Sequence, residues 1–180
     1  MLCCCSNHSE QDTYDLLSVC LEDFYLDQGS DLNEELIAFE KALYDEEHLH
    51  ERSGYGYLVL LRKLVKETYF SPPLKIEDFE SSLLYENPEN IFDCANKNFG
   101  LDSLTVAELN IFSVSQEISE IVEKEEFSIQ SVFDAYANKL TAEEMEQPYV
   151  KQTILLLFYR WYFTSKYNRE IPIDLKSDES

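Results

Sequence analysis

Apolar residues recur along this chain at intervals of three and four, the spacing that places them on one face of an α-helix. Two stripes open the pattern: Tyr14, Leu17, Leu21 and Phe24, then Leu32, Leu36, Phe39 and Leu43. They predict a helix from Asp12 to Leu26 and a second helix capped by Asp31, with a break between them at Asp27–Gly29. No segment alternates apolar and polar residues as a half-buried strand does, so we expect little β-structure.

Start and stop signals divide the rest of the chain into further helices. A polar break from Asp45 to Gly56, with a turn at Gly54–Gly56, separates the second helix from the third. The further predicted ranges are 57–70, 76–86, 87–100, 105–124, 128–139 and 148–166. Capping boxes with hydrophobic staples stand at Thr105 and Thr141, and Gly100 occupies the usual position after a helix. The last helix is apolar around most of its circumference, which favours a central position.

These patterns predict an all-α fold, a single irregular multi-helix bundle of about seven to eight helices with the last long helix central. The chain has 180 residues, 44% of them hydrophobic, enough for one domain with one core. We expect residues 1–10 to be a disordered N-terminal tip, 11–170 a single all-helical domain, and 171–180 a flexible tail. No apolar run approaches the ~18 residues that a membrane span requires.

Acidic residues outnumber basic ones by 36 to 14, which gives a formal net charge of -22 at pH 7. The charge is concentrated in residues 1–50, at -12, and 101–150, at -9, whereas 51–100 carry -2 and 151–180 carry +1. A surface of this sign repels nucleic acid and anionic lipid and attracts basic protein surfaces. The alternative interpretation of both acidic blocks is solvated helix faces that keep a small protein soluble.

The sequence shows no glycine-rich phosphate loop and no Gly-x-Ser-x-Gly motif. Glu47 and His50 have the Glu-x-x-His spacing of helical di-iron sites, but the second such motif that those sites need is missing. Glu47, His48 and His50 are therefore the only starting points for an enzymatic alternative. We expect no catalytic residue, no cofactor and no metal ion.

The cysteines indicate a reducing compartment. There are five, an odd number, and the first residues lack a basic segment followed by an apolar stretch, so we expect no secretory signal. Cys20 and Cys94 fall on apolar helix faces, so we expect buried free thiols in a cytoplasmic protein. The run Cys3–Cys5 with His8 lacks a second ligand pair and predicts no zinc site, and reversible acylation is its functional alternative.

The charge and the missing motifs together favour a non-enzymatic cytoplasmic module that binds a basic protein. Its carboxylates would occupy positions that phosphates fill, as in an inhibitor or immunity protein covering a nucleic-acid-binding site. The expected contact residues are Glu34, Glu35, Asp45, Glu46, Glu47, Glu117, Glu120 and Glu123. We expect no direct nucleic-acid binding, and the oligomeric state is open. An enzyme with a scattered site and a structural or scaffolding helical module are the alternatives.

Overall fold

The computed structural model describes residues 9–66, 91–101, 106, 108–123 and 128–167. Its α-helices are α1 (Glu10–Asp27), α2 (Leu32–Asp45), α3 (Gly54–Lys66), α4 (Ile91–Phe99), α5 (Asn110–Glu123), α6 (Ile129–Lys139) and α7 (Pro148–Tyr167). A short 3-10 turn, Glu144–Glu146, precedes α7. No strand forms in these parts of the chain, and the prediction of an all-α bundle is confirmed.

Side-chain caps position α1 and α2. The Ser9 hydroxyl accepts a hydrogen bond from the Asp12 N–H at 3.2 Å, and the Asp12 carboxylate accepts from the Ser9 N–H at 3.0 Å. This capping box starts α1 two residues before the predicted position, inside the segment assigned to the tip. Gly29, at φ +84°, lets the chain leave α1. Asp31 then caps α2, as predicted, by accepting from the Glu34 N–H at 3.0 Å.

The last helix, α7, is central, as predicted. Its buried side chains are Val150, Ile154, Leu155, Leu156, Phe158, Tyr159 and Tyr162. It packs on α1, α2 and the 3-10 turn. Ring contacts extend to Phe39 of α2, 5.4 Å from Tyr159, and to Phe133 of α6, 6.5 Å from Phe158. Because α7 is apolar on most sides, its burial holds α1 and α2 in place.

Three predicted elements are described only in part. The helix predicted over 87–100 is described from Ile91 to Phe99, followed by Gly100 at φ +70°. The helix predicted over 105–124 is described from Asn110 to Glu123, and its predicted start at Thr105 lies outside the described residues. The helix predicted over 76–86, and the end of the one predicted over 57–70, also lie outside them.

The predicted turn at Gly54–Gly56 was wrong, because these residues form the first turn of α3. A Cβ on Gly54 would lie 1.9 Å from the carbonyl oxygen of Ala142, and one on Gly56 would lie 2.1 Å from that of Glu51. The two glycines therefore let the start of α3 touch neighbouring backbone, a contact that the local pattern does not reveal.

Gly54→Ala is expected to destabilise the protein by about 1–3 kcal/mol, because the added methyl group meets backbone that cannot rotate away. Replacing a glycine by alanine at an uncrowded helix position would instead stabilise the protein by up to about 1 kcal/mol. The sign of the stability change therefore shows whether Gly54 lies against neighbouring backbone. Urea denaturation followed by circular dichroism measures it. Ala38→Ser, on the exposed side of α2, is the control and stays within about 0.5 kcal/mol. A stabilising Gly54→Ala would contradict the close approach.

A disulfide joins Cys20 of α1 to Cys94 of α4, with Cα atoms 5.9 Å apart. The expectation of two free thiols was therefore wrong. Both cysteines lie on the apolar faces of their helices, as predicted, but α4 packs on α1 and brings those faces together. The partners are 74 residues apart in sequence, so no local pattern indicates their pairing.

Candidate functional site: an acidic surface on α1 and α2

The helices α1 and α2 concentrate negative charge. Residues 9–47 contain thirteen carboxylates and one basic residue, Lys41. Ten of the carboxylates are exposed and are named here the α1–α2 acidic surface: Glu10, Asp12, Asp15, Asp23, Asp27, Asp31, Glu34, Asp45, Glu46 and Glu47. Lys41 forms an ion pair with Asp45 one turn further along α2. The segment's own basic residue thus offsets one carboxylate, and its net charge is -12.

A polar contact with α7 orients both helices. The Gln152 side-chain amide of α7 donates hydrogen bonds to Glu22 of α1 at 2.7 Å and to Asn33 of α2 at 3.1 Å. The Ser18 hydroxyl donates to the same Glu22 oxygen at 3.0 Å. One residue of α7 therefore touches both helices. Both helices pack on α7, and α1 packs on α4 as well.

Exposed apolar side chains lie within this acidic surface. The large apolar residues that are exposed in the described parts of the chain are Val19, Leu26, Ile37, Tyr44 and Tyr55. The first four form the apolar ridge, two on α1 and two on α2, and they are 41%, 64%, 57% and 47% exposed. In each helix the two residues are seven apart, so they lie on the same face, two turns from each other.

The predicted contact residues of α2 form two groups. Glu34 and Glu35 lie in the first turn, where Glu34 is exposed and Glu35 is partly buried. Asp45 ends the helix and Glu46 and Glu47 follow it, all three exposed. The two groups are about 16 Å apart along the helix axis. All except Glu35 belong to the α1–α2 acidic surface.

The three residues behind the enzymatic alternative lie in the turn after α2. Glu47 has a left-handed backbone, with φ 60°, and the His48 N–H donates to the Leu43 carbonyl at 2.9 Å to close the helix end. Glu47 and His50 are exposed. Within the described ranges, no three His, Cys, Asp or Glu side chains are placed to hold a metal ion. The enzymatic alternative stays a prediction that rests on these three residues.

The predicted contact residues of α5 lie elsewhere on the bundle. Glu117 and Glu120 line a surface groove of about 330 Å³ between α5 and α6. Lys139 of α6 also lines this groove, and its Nζ lies 3.3 Å from a Glu117 carboxylate oxygen. The side chain of Glu123 lies outside the described residues. Since α5 packs on α6 whereas α2 packs on α1 and α7, the two predicted groups belong to different helix pairs.

Glu40 is the exception among the acidic residues of α2, because its side chain is only 2% exposed. One carboxylate oxygen accepts hydrogen bonds from Arg52 Nη2 at 2.8 Å and Nε at 3.1 Å. The other accepts from the Tyr57 hydroxyl and lies 3.1 Å from Lys151 Nζ. These four residues, named here the Glu40 cluster, tie α2 to α7 and to both the start of α3 and the segment before it.

Electrostatics indicate that Glu40 is charged in the folded protein. Burial raises its pKa, but hydrogen bonds from Tyr57 and Arg52 and the charge of Lys151 outweigh burial and hold the pKa below its usual range. Burial and the hydrogen bond to Glu40 also raise the pKa of Tyr57, which stays neutral. Because the carboxylate is fully engaged, it is not free to meet a partner. The sequence signal for this cluster was an acid on the apolar side of α2, four residues after Leu36.

Comparisons with protein-family models, with curated proteins and with solved structures find no match for this chain. None of the helices in the described ranges combines the length and the apolar character that crossing a bilayer needs. A function must therefore be argued from the surface chemistry of the chain itself.

Proposed function

We propose that this protein is a non-enzymatic binding module whose α1–α2 acidic surface covers a basic site on a partner protein. The supporting observation is the ten exposed carboxylates on one helix pair that contains a single lysine. Exposed charges interact over about 8 Å at physiological salt, so carboxylates spaced one turn apart, about 5.4 Å, act together. Such a field speeds association with a positively charged surface and repels one of its own sign.

The chemistry favours a partner that normally binds phosphate groups. Carboxylates along the exposed faces of two adjacent helices present repeated negative charge, as a nucleic-acid backbone does. An inhibitor or immunity protein that blocks a nucleic-acid-binding site would act in this way. Glu34, Asp45, Glu46 and Glu47 are the sequence-predicted contact residues within the proposed interface. Glu117 and Glu120, in the groove beside Lys139, are not part of it.

The disulfide bears on where this binding takes place. A cytoplasmic location stays a prediction from the sequence. The bond between Cys20 and Cys94 favours an oxidising compartment instead, because cytosolic thiols are usually kept reduced. Proteins with exposed basic sites occur in both settings, so the proposed binding mode is compatible with either.

Affinity purification from native cell extract tests the proposal. The chain should retain a basic protein at about 50 mM salt and release it at about 500 mM, where screening is strong. A surface variant replaces four exposed carboxylates by amides: Asp15→Asn, Asp23→Asn, Asp27→Asn and Glu34→Gln. Each lost ion pair removes about 0.2–1 kcal/mol, so affinity for the purified partner should fall about tenfold.

The matched control has the same net charge but neutralises four exposed carboxylates outside α1 and α2: Asp93→Asn, Glu108→Gln, Asp134→Asn and Glu143→Gln. It should bind the partner like the unmodified chain. Equal weakening by both variants would show that overall charge, rather than the α1–α2 acidic surface, is responsible. Failure to retain any basic protein at low salt would contradict the proposal itself.

A further inference from the structure

We infer that the apolar ridge of α1 and α2 anchors a basic amphipathic helix of the partner, an inference that rests on the proposed function. Charge alone gives exposed ion pairs, each of which contributes little binding free energy. An apolar side chain that becomes buried adds binding free energy that does not depend on salt. The ridge lies inside the acidic surface, so one partner segment would meet both features.

On α1, acidic residues flank the ridge at helical spacing. Val19 has Asp15 one turn before it and Asp23 one turn after it, and Leu26 follows Asp23 by three residues. Residues three and four apart are neighbours on a helix surface. All four side chains are exposed, so they form a continuous stripe in which apolar and negative groups alternate.

The ridge repeats on α2. Ile37 lies three residues after Glu34, and Tyr44 lies beside Asp45 at the end of the helix. Both apolar side chains are about half exposed or more. Because Gln152 touches α1 and α2 together and the two helices contact each other, the two stripes lie on neighbouring helices.

The spacing of the ridge favours a helical occupant. Apolar residues seven apart on a helix are about 10.5 Å apart along its axis. A partner helix matches that distance with its own residues seven apart on one face. An extended segment covers it in about three residues, whose side chains alternate between opposite faces.

Charge decides between the occupants that an apolar ridge can have. A second copy of this chain would place one -12 segment against another, and anionic lipid would be repelled in the same way. A basic amphipathic helix places lysine or arginine beside the flanking carboxylates and its apolar stripe on the ridge. It is the occupant that satisfies both features.

Two synthetic peptides of about 18 residues test the inference. Both contain the same numbers of Leu and Lys; one has its Leu on a single helical face, and the other has them dispersed around the helix. Titration of the full chain at low salt should show the amphipathic peptide binding about tenfold more tightly. Leu26→Ser with Ile37→Ser should remove that advantage and leave the dispersed peptide's affinity unchanged. Tyr55→Ser, an equally exposed apolar residue outside the ridge, should change neither affinity.

The outcomes separate this inference from the proposed function. Equal binding of the two peptides, both lost at high salt, would overturn the ridge as an anchor and leave the acidic surface as the binding site. Binding of neither peptide would contradict both. Self-association in light scattering that Leu26→Ser and Ile37→Ser abolish would overturn the inference in favour of a second copy. Binding to phosphatidylserine vesicles that the same changes abolish would overturn it in favour of lipid.

Discussion

Glu40→Ala is expected to lower the free energy of unfolding by about 3 kcal/mol. The change removes the carboxylate with which Arg52, Tyr57 and Lys151 all interact, so these three side chains lose their common partner. Breaking a buried ion pair by removing one partner costs about 3–5 kcal/mol. The lower end applies because the Arg52 and Lys151 side chains are 40% and 33% exposed, so water can hydrate them. Urea denaturation followed by circular dichroism measures the loss.

Asp23→Ala is the control for this experiment, since Asp23 is an exposed acid of α1, and it should change stability by no more than about 0.5 kcal/mol. Glu40→Gln keeps the side-chain volume and removes the charge, so its free energy of unfolding should lie between those of the unmodified chain and Glu40→Ala. A loss below about 1 kcal/mol for Glu40→Ala would show that the cluster does not hold the segment before α3 in place.

The same cluster should make stability depend on pH. The folded pKa of Glu40 is lowered from its ordinary value of 4.5, so its charged form stabilises the folded state. That contribution is complete above the ordinary value and is lost as the pH falls through the folded pKa. The stability difference between the unmodified chain and Glu40→Gln should therefore be largest near neutral pH and shrink in acid. A difference that grows in acid would contradict the direction of the shift.

Removing the disulfide is expected to cost about 4 kcal/mol. The bond closes a loop across 74 residues, and loop-closure entropy predicts a stabilisation of this size for such a length. In addition, α4 has nine residues, too few to form a stable helix by itself, so its place in the fold depends on α1. Cys20→Ala with Cys94→Ala should therefore lower the urea midpoint and expose the amides of α4 to hydrogen exchange.

Reductant provides the control for the disulfide. Dithiothreitol should destabilise the air-oxidised chain about as much as the double variant, and it should leave the double variant unchanged. Peptide mass spectrometry after alkylation, without reductant and in denaturant, should find Cys20 and Cys94 joined. Alkylation of both thiols under those conditions would contradict the bond.

Helix positions were predictable where the signal is local. The Asp31 cap on α2 and the apolar stripes depend on residues a few positions apart, and the structure confirms them. The start of α3 was not predictable in this way, because Gly54 is helical where the chain touches Ala142, nearly ninety residues later in the sequence. The Glu40 cluster was missed for the same reason, since Arg52 and Lys151 reach Glu40 only in the packed bundle.

Of the candidate site, the charge was predictable and its arrangement was not. The excess of carboxylates in residues 1–50 is a property of composition. Which carboxylates are exposed depends on how the helices pack. Packing buries Glu40, which becomes a structural anchor, and it leaves Glu34 and Asp45 on the surface. The apolar ridge was missed because Val19 and Leu26 lie outside the apolar stripe of their helix, and no pattern shows whether another helix covers them.

The sequence by itself determined the all-helical class, most helix positions, the central place of α7 and the strongly negative surface, because periodicity, caps and charge are local quantities. Only the tertiary structure decided that Cys20 bonds to Cys94, that Glu40 is buried among cations and that four apolar side chains stay exposed amid acids. Each of these depends on which helix faces meet across long separations in sequence, and that is settled by packing of the whole bundle.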